Sequence, residues 1–190
     1  MPPKEKITRE LLLACAFQIA EEQGIDAVTS RSVAKAAGCS IQPVFSHFPT
    51  MEALRQATFE YTCDVLVKEI LSFSDKPDFL PRVTKLVIDL ARNRPNLYRL
   101  VYLSNSFQGN TLMDVMMDFE SNQAMIEKMA TLYQLDVESC KSILLRSVLF
   151  LMGACTMICV NHMDFTDEQV AEMMKQTAAD MVLGAKRRTQ

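Results

Sequence analysis

The sequence predicts an all-α protein: an N-terminal three-helix unit containing a helix-turn-helix, then a C-terminal helical bundle. Three observations predict it. Only five glycines and seven prolines punctuate 190 residues, while apolar residues make up 49%, ample for a core and too many for a chain disordered by composition. Apolar residues recur with helical spacing through most of the length. The stretch Thr29–Phe48 reads as two short helical patterns around a single glycine, Gly38.

Taken in order, a polar arm at 1–6 precedes Thr8, which can cap a helix running to Gln23. Leu12, Leu13, Ala16, Phe17, Ile19 and Ala20 form its apolar side, and Gly24 ends it. Thr29 caps a second helix whose apolar side is built of small residues, Val33, Ala34, Ala36 and Ala37. Gly38 supplies the left-handed residue past that helix end. Ser40 caps the third helix, and Pro43 sits in its first turn, where a missing N–H costs nothing. Val44, Phe45 and Phe48 recur at helical spacing and are expected to hold this helix against the one before it. Residues 1–49 are therefore read as the first domain.

Pro49 interrupts, and Thr50 caps a long connecting helix, 50–71, with Glu52 in its first turn. Its length is about 30 Å from the helical rise per residue. SFSDKPD, 72–78, is a loop. A helix over 79–93 is entered through Pro81 and stopped before Pro95, which opens another short helix. After a turn at 104–110, residues 111–134 are helical and carry methionines at 113, 116, 117, 125 and 129. Asp136 caps a helix to about Asn161, and Thr166 with Gln169 makes a capping box for a final helix expected to stop at Gly184. Residues 50–190 form the second domain. Within it, Ile143–Val160 is almost wholly apolar and about as long as a short membrane span. Arg146, Gly153 and the acidic brackets Glu138 and Asp164 favour instead a helix buried on all sides of a bundle.

The net charge of −3 excludes a basic nucleic-acid coat, yet within 29–50 Arg31, Lys35 and His47 meet no acidic residue. Gln42 can make paired hydrogen bonds to adenine from the first turn of the third helix, and Ile41 and Pro43 can touch a thymine methyl. Thr29 and Ser40 place helix starts where backbone N–H groups can meet phosphates. A second site, a cavity in the bundle, draws on Tyr98, Tyr102, Phe107, Met113, Met117, Phe119 and Phe150, with Cys155 added to the set. Each of these side chains would serve equally as core filling. The six cysteines lack zinc-ribbon spacing and the N-terminus lacks a signal-peptide core, so reduced thiols and a cytoplasmic location are expected. Cys155, Cys159 and His162 fall at i, i+4 and i+7 and are expected to share a helix face, a geometry for a soft metal or thiol sensor that lacks a fourth ligand. No metal, cofactor or catalytic constellation is read, and no enzymatic activity is expected.

These residues resemble a family. Leu12-Leu13-x-Cys15-Ala16-x-x-x-Ile19, Gly24, Thr29, Val33-Ala34-x-x-Ala37-Gly38-Cys39-Ser40, Phe45-x-His47-Phe48 and Leu54 are together similar to TetR-type transcriptional regulators, over about residues 7–55. Gln42-Pro43 and His47 are also similar to the recognition helix of the tetracycline repressor. The resemblance implies a homodimeric repressor released from a palindromic DNA operator by a small hydrophobic effector, dimerised through the helices at 136–161 and 167–184. It implies phosphate contacts from Arg31 and His47, with Ser30, Val44 and Phe45 completing the DNA-binding set. Two positions depart from it: Phe45 stands where a tyrosine is common, and Met51 where a lysine is common. Both changes remove phosphate contacts, which lowers affinity more than sequence choice. The alternative is a soluble helical ligand-binding or metal/thiol-sensing protein whose DNA-binding unit is weakened.

Overall fold

The structure is a computed structural model that describes residues 7–72, 74–104 and 120–188. In order it runs α1 (Arg9–Gln23), a 3-10 turn (Ile25–Ala27), α2 (Ser30–Ala36), α3 (Ile41–His47), α4 (Met51–Leu71) and α5 (Phe79–Asn93). Then come α6 (Pro95–Tyr98), a π-helical turn (Arg99–Leu103), α7 (Glu120–Tyr133), α8 (Val137–Asn161) and α9 (Asp167–Arg188). The described elements are all helical, as expected. The polar arm, the turn beyond Ser104 and the start of the methionine-rich helix lie outside the described residues.

Two compact units emerge: the described residues of Met1–Val65 with Arg94–Ser106, and those of Leu66–Asn93 with Phe107–Gln190. In the first, Thr8 Oγ1 accepts from the Leu11 N–H and Gly24 closes α1 at φ 87°. Leu12, Ala16, Val28, Val33 and Val44 are all essentially inaccessible to solvent. Thr58 and Thr62 of α4 are the buried polar residues here; their hydroxyls donate one turn back, to the Leu54 and Thr58 carbonyls at 2.7 and 2.8 Å, which removes the desolvation penalty. α6 packs on α1, where Arg94 pairs with Glu21 at 2.5 Å and the Asn96 amide donates to the Glu21 carbonyl at 3.0 Å.

In the second unit α8 packs against α5, α7 and α9 around Phe79, Met125, Ile126, Met129, Cys140, Ile143 and Leu144. Lys128 secures the 72–78 loop: its ammonium donates to the Ser74 and Lys76 carbonyls and lies 5.1 Å from the centre of the Phe79 ring. Asp136 caps α8 through the Ser139 N–H, and the Thr166–Gln169 capping box opens α9, both as expected. Arg92 holds the turn before α9 through Asp167 at 2.7 Å and the Phe165 carbonyl at 2.6 Å.

Three expectations are corrected here. α9 does not stop at Gly184 but runs through it to Arg188. Ala185 is buried in the core, and Lys186, Arg187 and Arg188 lie in the last turn, where positive charge is favoured by the helix dipole. α8 is not buried on all sides. Cys140, Ile143, Leu144, Leu151, Cys155 and Ile158 face inward, but Leu149, Met157 and Val160 are about half exposed, because its partners cover one side of an all-round apolar helix. By length and composition α8 is also long and apolar enough to cross a membrane. Finally, His162 does not share the cysteines' face. It terminates α8 in a left-handed conformation (φ 53°) and is exposed, while Cys155 and Cys159 are buried.

Candidate nucleic-acid interface

α2 and α3 are fixed by local hydrogen bonds before any packing is considered. Thr29 and Ser32 cap reciprocally: Thr29 Oγ1 accepts from the Ser32 N–H at 3.0 Å, and Ser32 Oγ accepts from the Thr29 N–H at 2.9 Å. Ser32 also donates to the Ala27 carbonyl at 2.7 Å, which ties α2 to the preceding turn. Sequence reading found the cap but missed Ser32, because the usual box closes with Glu or Gln. The other end of α2 is a Schellman closure. The Cys39 N–H reaches the Ala34 carbonyl at 3.0 Å, the Gly38 N–H reaches Lys35 at 3.3 Å, and Gly38 sits at φ 64°.

α3 then divides its side chains sharply. Val44 and Phe48 are buried, at 1% and 3% exposure, and Arg9 stacks 5.3 Å over the Phe48 ring. Phe45 does not join them, as the sequence spacing suggested; at 45% exposure it faces outward with Ile41 (47%), Gln42 and His47. Positions 44, 45 and 48 span an arc of about 100° on a helix, and the packing of α3 on α2 covers the Val44 edge of that arc and leaves the Phe45 edge open. Val44, expected on the DNA-binding set, belongs to the core. Ser40 occupies the N-cap position without a side-chain cap bond, and it is exposed. Thr29, Ser30 and Pro43 are half-buried, and Arg31 and Lys35 are exposed. No acidic residue stands between Thr29 and Thr50. Such a face presents one amide, one imidazole, two large apolar groups and nearby cations: a surface suited to a nucleic-acid groove.

The expected effector residues are less gathered. Tyr98 is buried and its ring lies 5.1 Å from that of the half-buried Tyr102, both in the first unit. Phe150 is half-buried and Cys155 fully buried, both in the second. Phe107, Met113, Met117 and Phe119 lie outside the described residues. An open groove of about 430 Å³ at the start of α9, lined by Phe165, Glu168, Gln169, Glu172, Met173 and Gln176, contains none of the eight. Cys155 donates its thiol to the Val87 carbonyl at 3.8 Å, and burial pushes that thiol up to about 12, so it stays protonated and unreactive at neutral pH. Among the described residues no group of three or more His, Cys, Asp or Glu side chains could hold a metal ion.

The chain is thus an all-helical protein that presents a helix-turn-helix on a compact N-terminal unit. Residues 12–58 match the model of the bacterial regulatory proteins of the tetR family. The chain's fold is that of solved tetR-type structures. A TetR transcriptional regulator from Legionella pneumophila superposes with a TM-score of 0.64 at 18% identity, covering 92% of this chain and 98% of that one. A transcriptional regulator from Rhodococcus sp. Rha1 gives 0.62 at 17% identity, over 94% and 98%. The multidrug binding protein EbrR, solved with ethidium, gives 0.62 at 16% identity, over 93% and 99%. No curated protein matches the chain.

Proposed function

We propose that this protein is a homodimeric, ligand-responsive transcriptional repressor of the cytoplasm. The observation that carries the reading is the outward set on α3, Ile41, Gln42, Phe45 and His47, held on a helix-turn-helix whose own residues, 29–50, include no Asp or Glu. The second helix of such a motif enters the major groove, where Gln42 has the geometry to hydrogen-bond adenine. Thr29, Ser30, Arg31 and Ser40 complete the interface toward phosphates and sugar, and Pro43 adds an apolar contact toward a thymine methyl.

Dimerisation through α8 and α9 is supported by the apolar stripe Leu149, Met157 and Val160 left exposed on α8, with Gly153 on the same face. Pairing with a second copy would remove that area from water in a four-helix bundle. It would also present two α3 helices to half-sites of a palindrome about one DNA turn apart. A small, mostly hydrophobic effector is supported by the Tyr98–Tyr102 pair and by the likeness in fold to a multidrug binding protein. The effector acts by binding the non-DNA-binding arrangement more tightly. The unreactive Cys155 and the outward His162 weigh against the metal/thiol-sensing alternative.

The test is a gel shift of full-length protein on the DNA upstream of its own coding sequence. A discrete complex is expected, lost in the Ser40→Ala, Gln42→Ala double variant. Equal binding to random DNA at moderate salt would sink the reading.

A further inference from the structure

The face of α3 carries more information than a capacity to bind DNA. Ile41 and Phe45 are one helical turn apart, each close to half exposed, with Gln42 three residues before Phe45 on the same side. The next polar group along, the Ser46 hydroxyl, is turned back onto the Gln42 carbonyl at 3.0 Å. From Ser40 to His47 there is no Lys or Arg, the side chains that read guanine O6 and N7, and no Asp or Glu, which accept from the cytosine amino group. A solvated helix face of this length gains nothing from two large apolar groups in water. The major groove offers one apolar group that would cover them, the thymine C5-methyl.

We infer that α3 specifies its half-site by thymine methyl groups, which Ile41 and Phe45 take up beside an adenine bound by Gln42. The inference rests on the DNA-binding reading above and sharpens it. Four residues advance about 6 Å along a helix axis, against about 3.4 Å per base step, so the two methyls lie about two base pairs apart. The missing phenolic hydroxyl at Phe45 fits the same scheme. Phe45 carries no hydroxyl to donate to a phosphate, so its exposed ring has only an apolar partner to seek. Phe45 and Ile41 are thus specificity-determining residues, and the half-site core is rich in A·T pairs.

The experiment selects duplexes from a randomised pool with the full-length protein, then replaces each thymine of the recovered site by deoxyuridine. That change deletes a methyl and leaves every hydrogen-bonding group in place. Affinity is expected to fall about four-fold at each of two core thymines per half-site, the worth of one methyl-sized group removed from water. Phe45→Ala should abolish the response at one of them and Ile41→Ala at the other. Both side chains are exposed, so the variants keep the fold, which circular dichroism checks. A recovered site that tolerates uracil at every core position, or has a G·C core, overturns the inference and leaves the DNA-binding reading standing. Recovery of no preferred sequence overturns both.

Discussion

The two units leave apolar surface uncovered in different ways. Among the described residues of the first, large exposed apolar side chains are Leu11, Leu103 and the α3 pair Ile41 and Phe45. In the second they are more numerous and concentrate on α8: Leu132 on α7, Val137, Leu149, Met157 and Val160 on α8, then Met163, and Met173 and Leu183 on α9. A short pair on a rigid turn is suited to a small chemical feature, such as a base edge. A stripe along a 25-residue helix is suited to another helix of similar length. On the proposed function, the first unit uses its exposed pair to read DNA, and the second uses its stripe to pair with another copy.

The largest effect should come from that stripe. Replacing Leu149 and Met157 together by glutamate places two charges where pairing would bury them, and leaves the inward face of α8 intact. The variant should sediment as a folded monomer. Its affinity for a palindromic site should fall by about 100-fold or more, because two linked half-site contacts become independent. A variant that stays dimeric with full DNA affinity would remove α8 from the interface and with it the contrast between the units.

A second effect separates two phenylalanines three residues apart. Phe48 is 3% exposed, so Phe48→Ala should lower unfolding free energy by about 3–5 kcal/mol. It also leaves the Arg9 guanidinium without its ring. Phe45→Ala, at an outward position, should change stability by no more than about 0.5 kcal/mol. Urea titration measures both, and equal losses would contradict the division of α3 into a core face and an outward face.

Those two residues also mark how far the sequence alone could be read. Helix ends were legible wherever a local group closes them. Thr8, Thr29, Thr50, Asp136 and Thr166 each accept from the backbone N–H that the pattern assigns to them. That Gln42 falls in the first turn of α3 was legible from residue type and position, because it precedes a proline whatever the packing. Facing direction was not. Val44, Phe45 and Phe48 are equally apolar as letters, and only the docking of α3 on α2 decides that Phe45 turns out and Val44 in. The same holds for α8, where apolarity all round concealed which side its neighbours would cover. His162 was placed with the cysteines by extending helical spacing one residue past Asn161, where the helix ends.

The smallest predicted effects concern two glycines with the same letter and opposite roles, one in each unit. Both were read as helix stops. Gly38 is one: at φ 64°, with open space where a Cβ would stand, any penalty for Gly38→Ala is purely conformational. That penalty is about 1–2 kcal/mol, the cost of a left-handed L-residue. Gly184 lies inside α9, and a Cβ there would meet only the end of the Arg188 side chain at 3.7 Å, an ordinary contact. Gly184→Ala should therefore stabilise the protein by up to about 1 kcal/mol, since alanine has less backbone freedom to lose in a helix interior. Denaturant midpoints should move in opposite directions for the two variants, with unchanged slopes. A loss of stability in both would mean that α9 ends at Gly184 after all. A gain in both would mean that the α2–α3 turn does not require the left-handed residue on which its geometry is built.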